Sequence, residues 1–282
     1  MSNAVAVAHG EFGRAAIYAL DRPIVTHAHR EGHLVFHVDG PPAAMTVADQ
    51  TYANVKDSII AISPWEPHNF QNAPNSTSIY LVLYIKPMWF LENSNSAEFA
   101  LSFGRCNMPV TKAVQTLVNR LTTLLLHEDM SAKFDNLLFS LTRACFDLSW
   151  QACDSMLMTK SAMRFNDYRV RRSLRVMQEN LTEEFEMEEL ARAVGLSRPH
   201  FFKLFKQQMG VTPNIYMNTL KSEQAIEDLL TTDKSVTDIA LELGFSSQAS
   251  FTRFFSSNVG IAPSEYRRAS CNAGVAFPML GQ

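Results

Sequence analysis

The chain has 282 residues, which is long for one small domain and suits two. Hydrophobic residues make up 46% and charged residues 19%, which excludes wholesale disorder, and a net charge of −3 argues against a polybasic coat for nucleic acid. The longest apolar run, residues 79–85, is too short to span a bilayer, and the amino-terminal residues lack the pattern of a signal peptide. The four cysteines form no CxxC pair. We therefore expect a reduced, cytoplasmic protein without a membrane span or structural zinc.

Residues 1 to about 90 have the pattern of short strands. Segments 59–63 and 78–86 are rich in β-branched and aromatic residues, and prolines separate the segments at turn-like intervals. This pattern predicts a β-sandwich or β-barrel.

From about residue 110 the apolar residues recur with a helical period. Two stripes predict two helices that cover an open side of the sheet. Apolar stripes alone do not exclude a second role in contacting another subunit, so a homodimer stays an alternative. The stripes are Val114, Leu117, Val118, Leu121 and Leu125, and Phe134, Leu137, Leu138, Leu141, Cys145 and Leu148.

The order of strands followed by helices predicts an α+β protein of two domains. The first, residues 1–155, contains the strands and the two covering helices. Residues 156–167 show no sustained period and are expected to be a linker. The second, residues 168–269, is predicted to be entirely helical, and residues 270–282 form a tail.

An internal repeat lies in the helical region. The segment from Glu189 to Ser197 (ELARAVGLS) recurs at an offset of 49 residues as the segment from Asp238 to Ser246 (DIALELGFS). Each copy is an acid, a branched apolar residue, alanine, three further residues, glycine, an apolar residue and serine. One such match is compatible with a generic helical hairpin that serves stability alone, but two in tandem favour a repeated functional unit.

The demands of a helix-turn-helix explain each position of the repeat. Small Ala191 and Ala240 let a second helix cross closely over the first. Gly195 and Gly244 lie where the first helix must stop with positive φ. Ser197, and Ser246 or Ser247, are placed to cap the next helix. That helix turns apolar residues inward, and because they begin one residue later in the second copy we expect a turn one residue longer there. The inward residues are Phe201, Leu204 and Phe205, and Phe251, Phe254 and Phe255.

The outward faces of these two recognition helices contain no acidic residue, although residues 164–282 hold 14 basic and 14 acidic side chains. Arginine, lysine, glutamine and threonine are side chains that contact base edges or phosphates. This segregation predicts that two units, about 187–209 and 236–258, face DNA. The outward residues are Arg198, Phe202, Lys203, Lys206 and Gln207 in the first unit, and Gln248, Ala249, Thr252 and Arg253 in the second.

Residues 213–230, between the two units, predict one continuous helix with Pro213 at its start. Eighteen residues span about 27 Å, and successive major-groove faces of DNA lie about 34 Å apart. A helix of this length is therefore able to hold two recognition helices on adjacent turns of one duplex.

The helical region resembles the AraC/XylS family of bacterial transcriptional regulators. The resemblance covers roughly residues 168–269. It is carried by the segments from Gly195 to Lys206 (GLSRPHFFKLFK), Gly210 to Pro213 (GVTP), Asp238 to Ala240 (DIA), Gly244 to Gln248 (GFSSQ) and Gly260 to Arg268 (GIAPSEYRR).

The resemblance implies an effector-responsive activator that binds promoter DNA and RNA polymerase. Ser256 and Ser257 depart from the family, which often has basic residues there, so a phosphate contact from that end is not expected. By position the family implies DNA contacts from Arg198, Pro199, Phe202, Lys203, Lys206, Gln248, Ala249, Thr252 and Arg253.

A histidine cluster near the amino terminus is the other concentrated signal. On one extended strand His27, His29, Glu31, His33 and His37 would share a face. With His68, which follows a proline turn, the histidines resemble the two motifs of the cupin barrel. The resemblance implies a cupin-like sensor domain with a divalent metal (Zn, Ni, Fe or Mn) held by His27, His29, His33 and His68.

Several alternatives to a metal-binding sensor stay open. The histidines line a pocket for an unknown small-molecule effector or simply lie at the mouth of the barrel. The chain is a metal-dependent cupin enzyme with a helical appendage, or its barrel only dimerises and senses nothing. Candidate pocket residues are Trp65, Phe70, Tyr80 and Tyr84, although aromatic residues at alternating spacing are also common in plain cores.

Overall fold

The computed structural model describes residues 2–53, 57–73, 75–93, 101–127, 132–151, 167–181 and 186–272. The predicted linker lies outside the described residues except for Asp167, and so do Cys153 and residues 273–282 of the predicted tail. The described part has a sheet-rich amino-terminal region and a helical carboxyl-terminal region.

The strands form two antiparallel sheets. One has six strands in the order β1-β2-β9-β4-β7-β10, and the other has four in the order β3-β8-β5-β6. The strands are β1 (Asn3–Gly10), β2 (Gly13–Leu20), β3 (Ile24–His27), β4 (Gly32–Asp39), β5 (Ala44–Val47), β6 (Gln50–Ala53), β7 (Ser58–Ile62), β8 (His68–Gln71), β9 (Ser78–Ile85) and β10 (Asn107–Pro109).

A closed barrel was the expectation, and among the described strands no ladder joins the two sheets. Each strand of the smaller sheet has only four residues, half the length of β2, β4 or β9. The smaller sheet is therefore too short to cover the whole inner face of the larger one. Helices of the carboxyl-terminal region pack against this face as well.

The position of strand β9 between two cores explains why its sequence is apolar without alternation. Tyr80 and Val82 face the core between the sheets, and Leu81 and Leu83 face the core under two helices. A strand buried on both sides loses the alternation of a half-exposed strand.

Ten helices lie within the described residues. Helices α2 and α3 cover the outer face of the six-stranded sheet, as the sequence predicted. The helices are α1 (Pro87–Asn93), α2 (Lys112–Leu126), α3 (Ala132–Trp150), α4 (Tyr168–Glu179), α5 (Met187–Ala193), α6 (Arg198–Met209), α7 (Pro213–Thr231), α8 (Val236–Glu242), α9 (Gln248–Val259) and α10 (Pro263–Asn272).

The repeat folds into two helix pairs, α5–α6 and α8–α9, joined by α7. Ala191 and Ala240 are fully buried, and Gly195 and Gly244 have φ of 74° and 76°. Fully buried aromatic residues of both recognition helices form the inward faces: Phe201, Phe205, Phe251 and Phe255.

The turns of the two units differ in their capping. Helix α9 begins after Ser247, whose side chain accepts a hydrogen bond from the backbone N–H of Ser250 in a capping box. Helix α6 begins after Ser197, whose side chain makes no cap hydrogen bond. The cap residue follows its glycine by two positions in the first unit and by three in the second, so the second turn is one residue longer. The additional residue in the second turn places Ser247 at the N-cap position, where it forms the capping box with Ser250.

The second unit shares a hydrophobic core with the sheets. Val7 and Tyr18 belong to the same buried cluster as Ile226, Phe255 and Tyr266. The first unit has a core of its own, which the sheet region contacts through Ala28 and Trp65. The two regions are therefore packed together over the second unit rather than joined only by a chain segment.

The two glycines that end the recognition helices differ in how closely the sheet region packs against them. Gly210 and Gly260 both end a recognition helix in the left-handed region, with φ of 75° and 91°. A Cβ at Gly210 would have no atom within 4 Å, whereas one at Gly260 would lie 2.8 Å from Cδ1 of Ile24 on β3.

We expect Gly210→Ala to lower the free energy of unfolding by about 1 kcal/mol through backbone strain alone. Gly260→Ala should cost about 1–3 kcal/mol more, because it also overpacks the contact with the sheet region. Urea denaturation of both variants measures the difference. Equal losses would contradict the packing of α9 on β3.

Candidate nucleic-acid interface and buried histidine cluster

The side chains predicted to contact DNA lie on the surface of the recognition helices. Phe202 and Thr252 are half-buried, and the other seven are exposed. The exposed ones are Arg198, Pro199, Lys203 and Lys206 on α6 and Gln248, Ala249 and Arg253 on α9.

Two contacts fix the orientation of side chains on these faces. The guanidinium carbon of Arg198 lies 5.2 Å from the ring centroid of Phe202, within the range of a cation–π interaction. Oε1 of Gln248 accepts a hydrogen bond from Oγ1 of Thr237 on α8 at 2.9 Å. This leaves the amide group of Gln248 as a donor at the start of α9.

Some cations elsewhere in the helical region form ion pairs with carboxylates, whereas those on the recognition helices do not. Lys234 pairs with Glu242 at 2.5 Å and Arg169 with Asp167 at 2.7 Å. Among the described residues no carboxylate pairs with the cations on the two exposed faces, and the first turns of α6 and α9 contain no acid. These cations are Arg198, Lys203, Lys206 and Arg253. Cations without a carboxylate partner suit the binding of phosphate groups.

The structure brings together four of the histidines singled out in the sequence. Ring centroids of His27 and His68, which face each other across β3 and β8, lie 4.3 Å apart. His29 follows in the loop after β3, and its centroid is 4.8 Å from that of His27. The nearest ring nitrogens of His27, His29 and His68 all lie within 4.8 Å of one another. His33 on β4 places Nδ1 3.1 Å from Nε2 of His68.

The prediction that one extended strand carries all these histidines is wrong. The chain forms β3 and β4 with a turn between them. His37 lies apart from the cluster, with its Nε2 2.9 Å from the carbonyl oxygen of Gly40. Glu31 approaches Arg14 at 4.0 Å instead of lining up with the histidines.

Burial governs the charge of the cluster. It lowers the pKa of His27 to about 4 and holds the pKa of His29, His33 and His68 well below the usual value, with the neighbouring rings adding to the effect. The four imidazoles are therefore neutral at pH 7, the form in which histidine coordinates a metal ion.

The candidate pocket residues divide into two groups. Phe70, Tyr80 and Tyr84 line a cavity of about 30 Å³ between the sheets, beside His27 and His68. Trp65 does not line this interior, because its ring stacks on Tyr216 of α7 at 4.7 Å. The side chains fill most of the space between the sheets, so this cavity has room for about one water molecule.

A buried polar group between the sheets and the second unit was not found from the sequence. Nη1 of Arg14 donates to the hydroxyl of Tyr266 on α10 at 3.4 Å, and the guanidinium carbon lies 3.9 Å above the ring of Tyr84. Tyr266 also contacts His9 at 3.4 Å. The sequence signal was an arginine within the otherwise apolar strand β2, which marks a buried charge with a distant partner.

A second polar contact joins the loop after β3 to α7. The carboxylate of Glu223 receives the backbone N–H of Arg30 at 3.2 Å and pairs with its guanidinium at 2.8 Å. Burial and the nearby carboxylate of Glu31 raise the pKa of Glu223 to about 7 in spite of this pairing. The contact therefore titrates close to neutral pH.

The helical region matches a family model for the helix-turn-helix domain over residues 190–269. Uncharacterized HTH-type transcriptional regulators of Staphylococcus aureus are 38% identical over 102 residues, which is 36% of this chain and 14% of theirs. The chain thus covers a small part of these relatives. LumQ of Photobacterium leiognathi, named a probable transcriptional regulator, is 25% identical over 240 residues, 82% of this chain and 90% of LumQ.

Among solved structures, a single-residue variant of apo ToxT from Vibrio cholerae aligns with 92% of this chain and 98% of its own, with a TM-score of 0.59 and 14% identity. The likeness to ToxT shows a shared fold across both regions. The family match shows a helix-turn-helix domain in the helical region, attached to a sheet-rich region. The names of these relatives describe transcriptional regulators.

No helix of the described residues combines the length and the apolar character needed to cross a membrane.

The raised pKa of Glu223 has a testable consequence. In the folded protein Glu223 keeps its proton up to about pH 7, whereas the unfolded chain loses it near 4.5. The folded state binds more protons in this window, so the contribution of Glu223 to stability falls as the pH rises from 4.5 to 7.

We therefore expect Glu223→Gln to gain stability relative to the wild type when the pH is raised from 5 to 8, by at most about 3 kcal/mol. Melting temperatures at both pH values measure this. A difference between the two proteins that does not change with pH would contradict the burial of this carboxyl.

Proposed function

We propose that the chain is a sequence-specific transcriptional regulator that binds promoter DNA through α6 and α9. The observation that carries the proposal is the repeat of one helix pair with two exposed, acid-free faces. Each face follows a buried alanine crossing and a left-handed glycine, as a helix-turn-helix requires. The named relatives of the helical region support the same function.

The two recognition helices make different kinds of contact with DNA. Lys203 and Lys206 supply phosphate contacts, which give affinity that falls with salt but carry no sequence information. Gln248 and Arg253 reach base edges, where a bidentate pair discriminates by about 1–3 kcal/mol. Helix α7 has 19 residues and spans about 28 Å, which suits two helices on adjacent turns of one duplex.

The sheet-rich region is proposed to be the cupin-like sensor of an unknown small-molecule effector. The interior cavity holds about one water, but a groove of about 700 Å³ lies between the regions. Arg14, Arg30 and Glu223 line it, so an effector in this groove would touch both regions. Such an effector would change DNA binding only by favouring one arrangement of the regions over another.

The AraC/XylS resemblance adds activation of transcription through RNA polymerase, in the cytoplasm, to this proposal. A homodimer stays a prediction. Helices α2 and α3 cover the sheet with one face, and Leu126, the last residue of α2, is an exposed apolar residue.

DNA sites selected from a random library by the full chain provide the test. Lys203→Ala should weaken binding to all sites alike and reduce the slope of log affinity against log salt by about 1. Arg253→Ala should reduce the preference for the selected site over its single-base variants by about 1–3 kcal/mol at one position.

Lys112→Ala is the matched control, because Lys112 is an exposed lysine on α2. It should leave both quantities unchanged. The groove assignment is wrong if Lys203→Ala and Arg253→Ala bind as the wild type does, or if the full chain selects no site.

A further inference from the structure

We propose that Thr237 sets the base preference of Gln248, so that the second recognition helix selects a G·C pair over an A·T pair. The inference rests on the proposed function, because it has meaning only if α9 contacts base edges of DNA. It gives a role to a residue of α8 that is not among the predicted DNA contacts. One hydrogen bond carries it, together with the way the fold holds both ends of that bond.

The side-chain amide of Gln248 is oriented by Thr237. Oγ1 of Thr237 donates to Oε1 of Gln248 at 2.9 Å, and both residues are exposed. An amide group has its acceptor on one arm and its two donor hydrogens on the other. With the oxygen held towards α8, the NH2 group is the arm turned away from α8. Among the described residues Nε2 has no hydrogen-bond partner, so both of its hydrogens are open to DNA.

The position of Thr237 in α8 leaves its hydroxyl group open for this contact. A threonine inside a helix commonly turns its hydroxyl to the carbonyl oxygen three or four residues back. For Thr237 these residues are Lys234 and Asp233, which precede the first residue of α8. The carbonyl oxygen of Lys234 already accepts a hydrogen bond from Nη1 of Arg267 at 2.7 Å. The hydroxyl of Thr237 therefore bonds to Gln248 rather than back along its own helix.

Capping boxes hold both ends of the bond in place. Ser235 and Asp238 form one box at the start of α8, and Ser247 and Ser250 form another at the start of α9. The two bonded side chains lie in the first turns that these boxes fix. Because the backbone at both ends is already ordered, forming the bond costs only the entropy of the two side chains.

The first unit has a different pair of residues at the equivalent positions. The offset of 49 residues makes Glu188 the equivalent of Thr237, and α6 begins with Arg198 where α9 begins with Gln248. Among the described residues no ion pair joins Glu188 to Arg198, whose guanidinium lies over the ring of Phe202 instead. The bond between the two helices is therefore particular to the second unit, as a determinant of sequence preference would be.

The pattern of donors and acceptors in the major groove converts this orientation into a base preference. Glutamine pairs with adenine through one donor and one acceptor, whereas guanine presents two acceptors, N7 and O6. An amide that turns its NH2 group to the base offers two donors, which match guanine. Adenine places its N6 donor where the amide would need the oxygen that Thr237 holds. DNA also excludes water from the bond between the two side chains, which strengthens it.

The test begins with the base pair that Gln248 contacts. The full chain selects DNA sites from a random library, and Gln248→Ala identifies the position at which the base preference is lost. At this position we expect the wild type to bind a G·C pair at least about fivefold more tightly than an A·T pair. Thr237→Val should lower this ratio by about 2- to 10-fold, because the released amide oxygen then accepts from adenine.

Three further variants separate positioning from other roles. Thr237→Ser keeps the hydroxyl and should keep the wild-type ratio. Thr116→Val is the matched control, because Thr116 is an exposed threonine of α2 that donates to the carbonyl oxygen of Lys112 in its own helix. In the Gln248→Ala background Thr237→Val should have no effect on the ratio. Far-UV circular dichroism of each variant must match the wild type.

The outcomes distinguish failure of this inference from failure of the proposed function. Selection of no DNA site would contradict both. A selected site without any position that depends on Gln248, or a preference for A·T at that position, would overturn the inference alone. A folded Thr237→Val that keeps the wild-type ratio would overturn it as well. So would weaker binding of Thr237→Val to all base pairs alike, which indicates a phosphate contact instead of positioning.

Discussion

The apolar core shared by the inner face of the six-stranded sheet and the second helix-turn-helix unit is the contact on which the rest of the structure depends. The strands of the smaller sheet are short and leave part of that face for Ile226, Phe255 and Tyr266 to cover. Burial of apolar surface contributes roughly 25 cal/mol per Å². Since the second unit buries its side chains against both the sheet and α7, its position follows from the fold of the sheet region.

Polar groups make this apolar contact specific. Arg14 reaches Tyr266, Glu223 pairs with Arg30, and Thr219 binds the backbone between two histidines. Each group gains a polar partner across the contact when the regions are docked. A ligand bound in the groove would therefore act at the contact that positions α9. Through α9, whose exposed face is proposed to bind DNA, this contact would connect the proposed DNA binding to the proposed sensor.

The sequence predicted the helical region well because its signals are local. The alanine crossing, the left-handed glycine and the inward aromatic residues each depend on neighbours within a few positions of Gly195 or Gly244. The β-branched and aromatic residues of segment 78–86 likewise predicted a strand. Contacts between distant segments were not predictable in this way: Arg14 meets Tyr266 across 252 positions. The turn that separates β3 from β4 had no glycine or proline before Gly32 to mark it, so the histidines were expected on one strand.

Unfolding of the full chain in urea tests the shared core most directly. Trp89 and Trp150 pack against the core under α2 and α3, whereas Trp65 stacks on Tyr216 of α7. In a Trp65→Phe variant the fluorescence therefore reports the sheet region, whereas far-UV ellipticity reports mainly α4 to α10. If one core joins the regions, the two signals change together with a single midpoint, as a cooperative unit requires. A helical transition that is separate from the fluorescence transition would contradict the account.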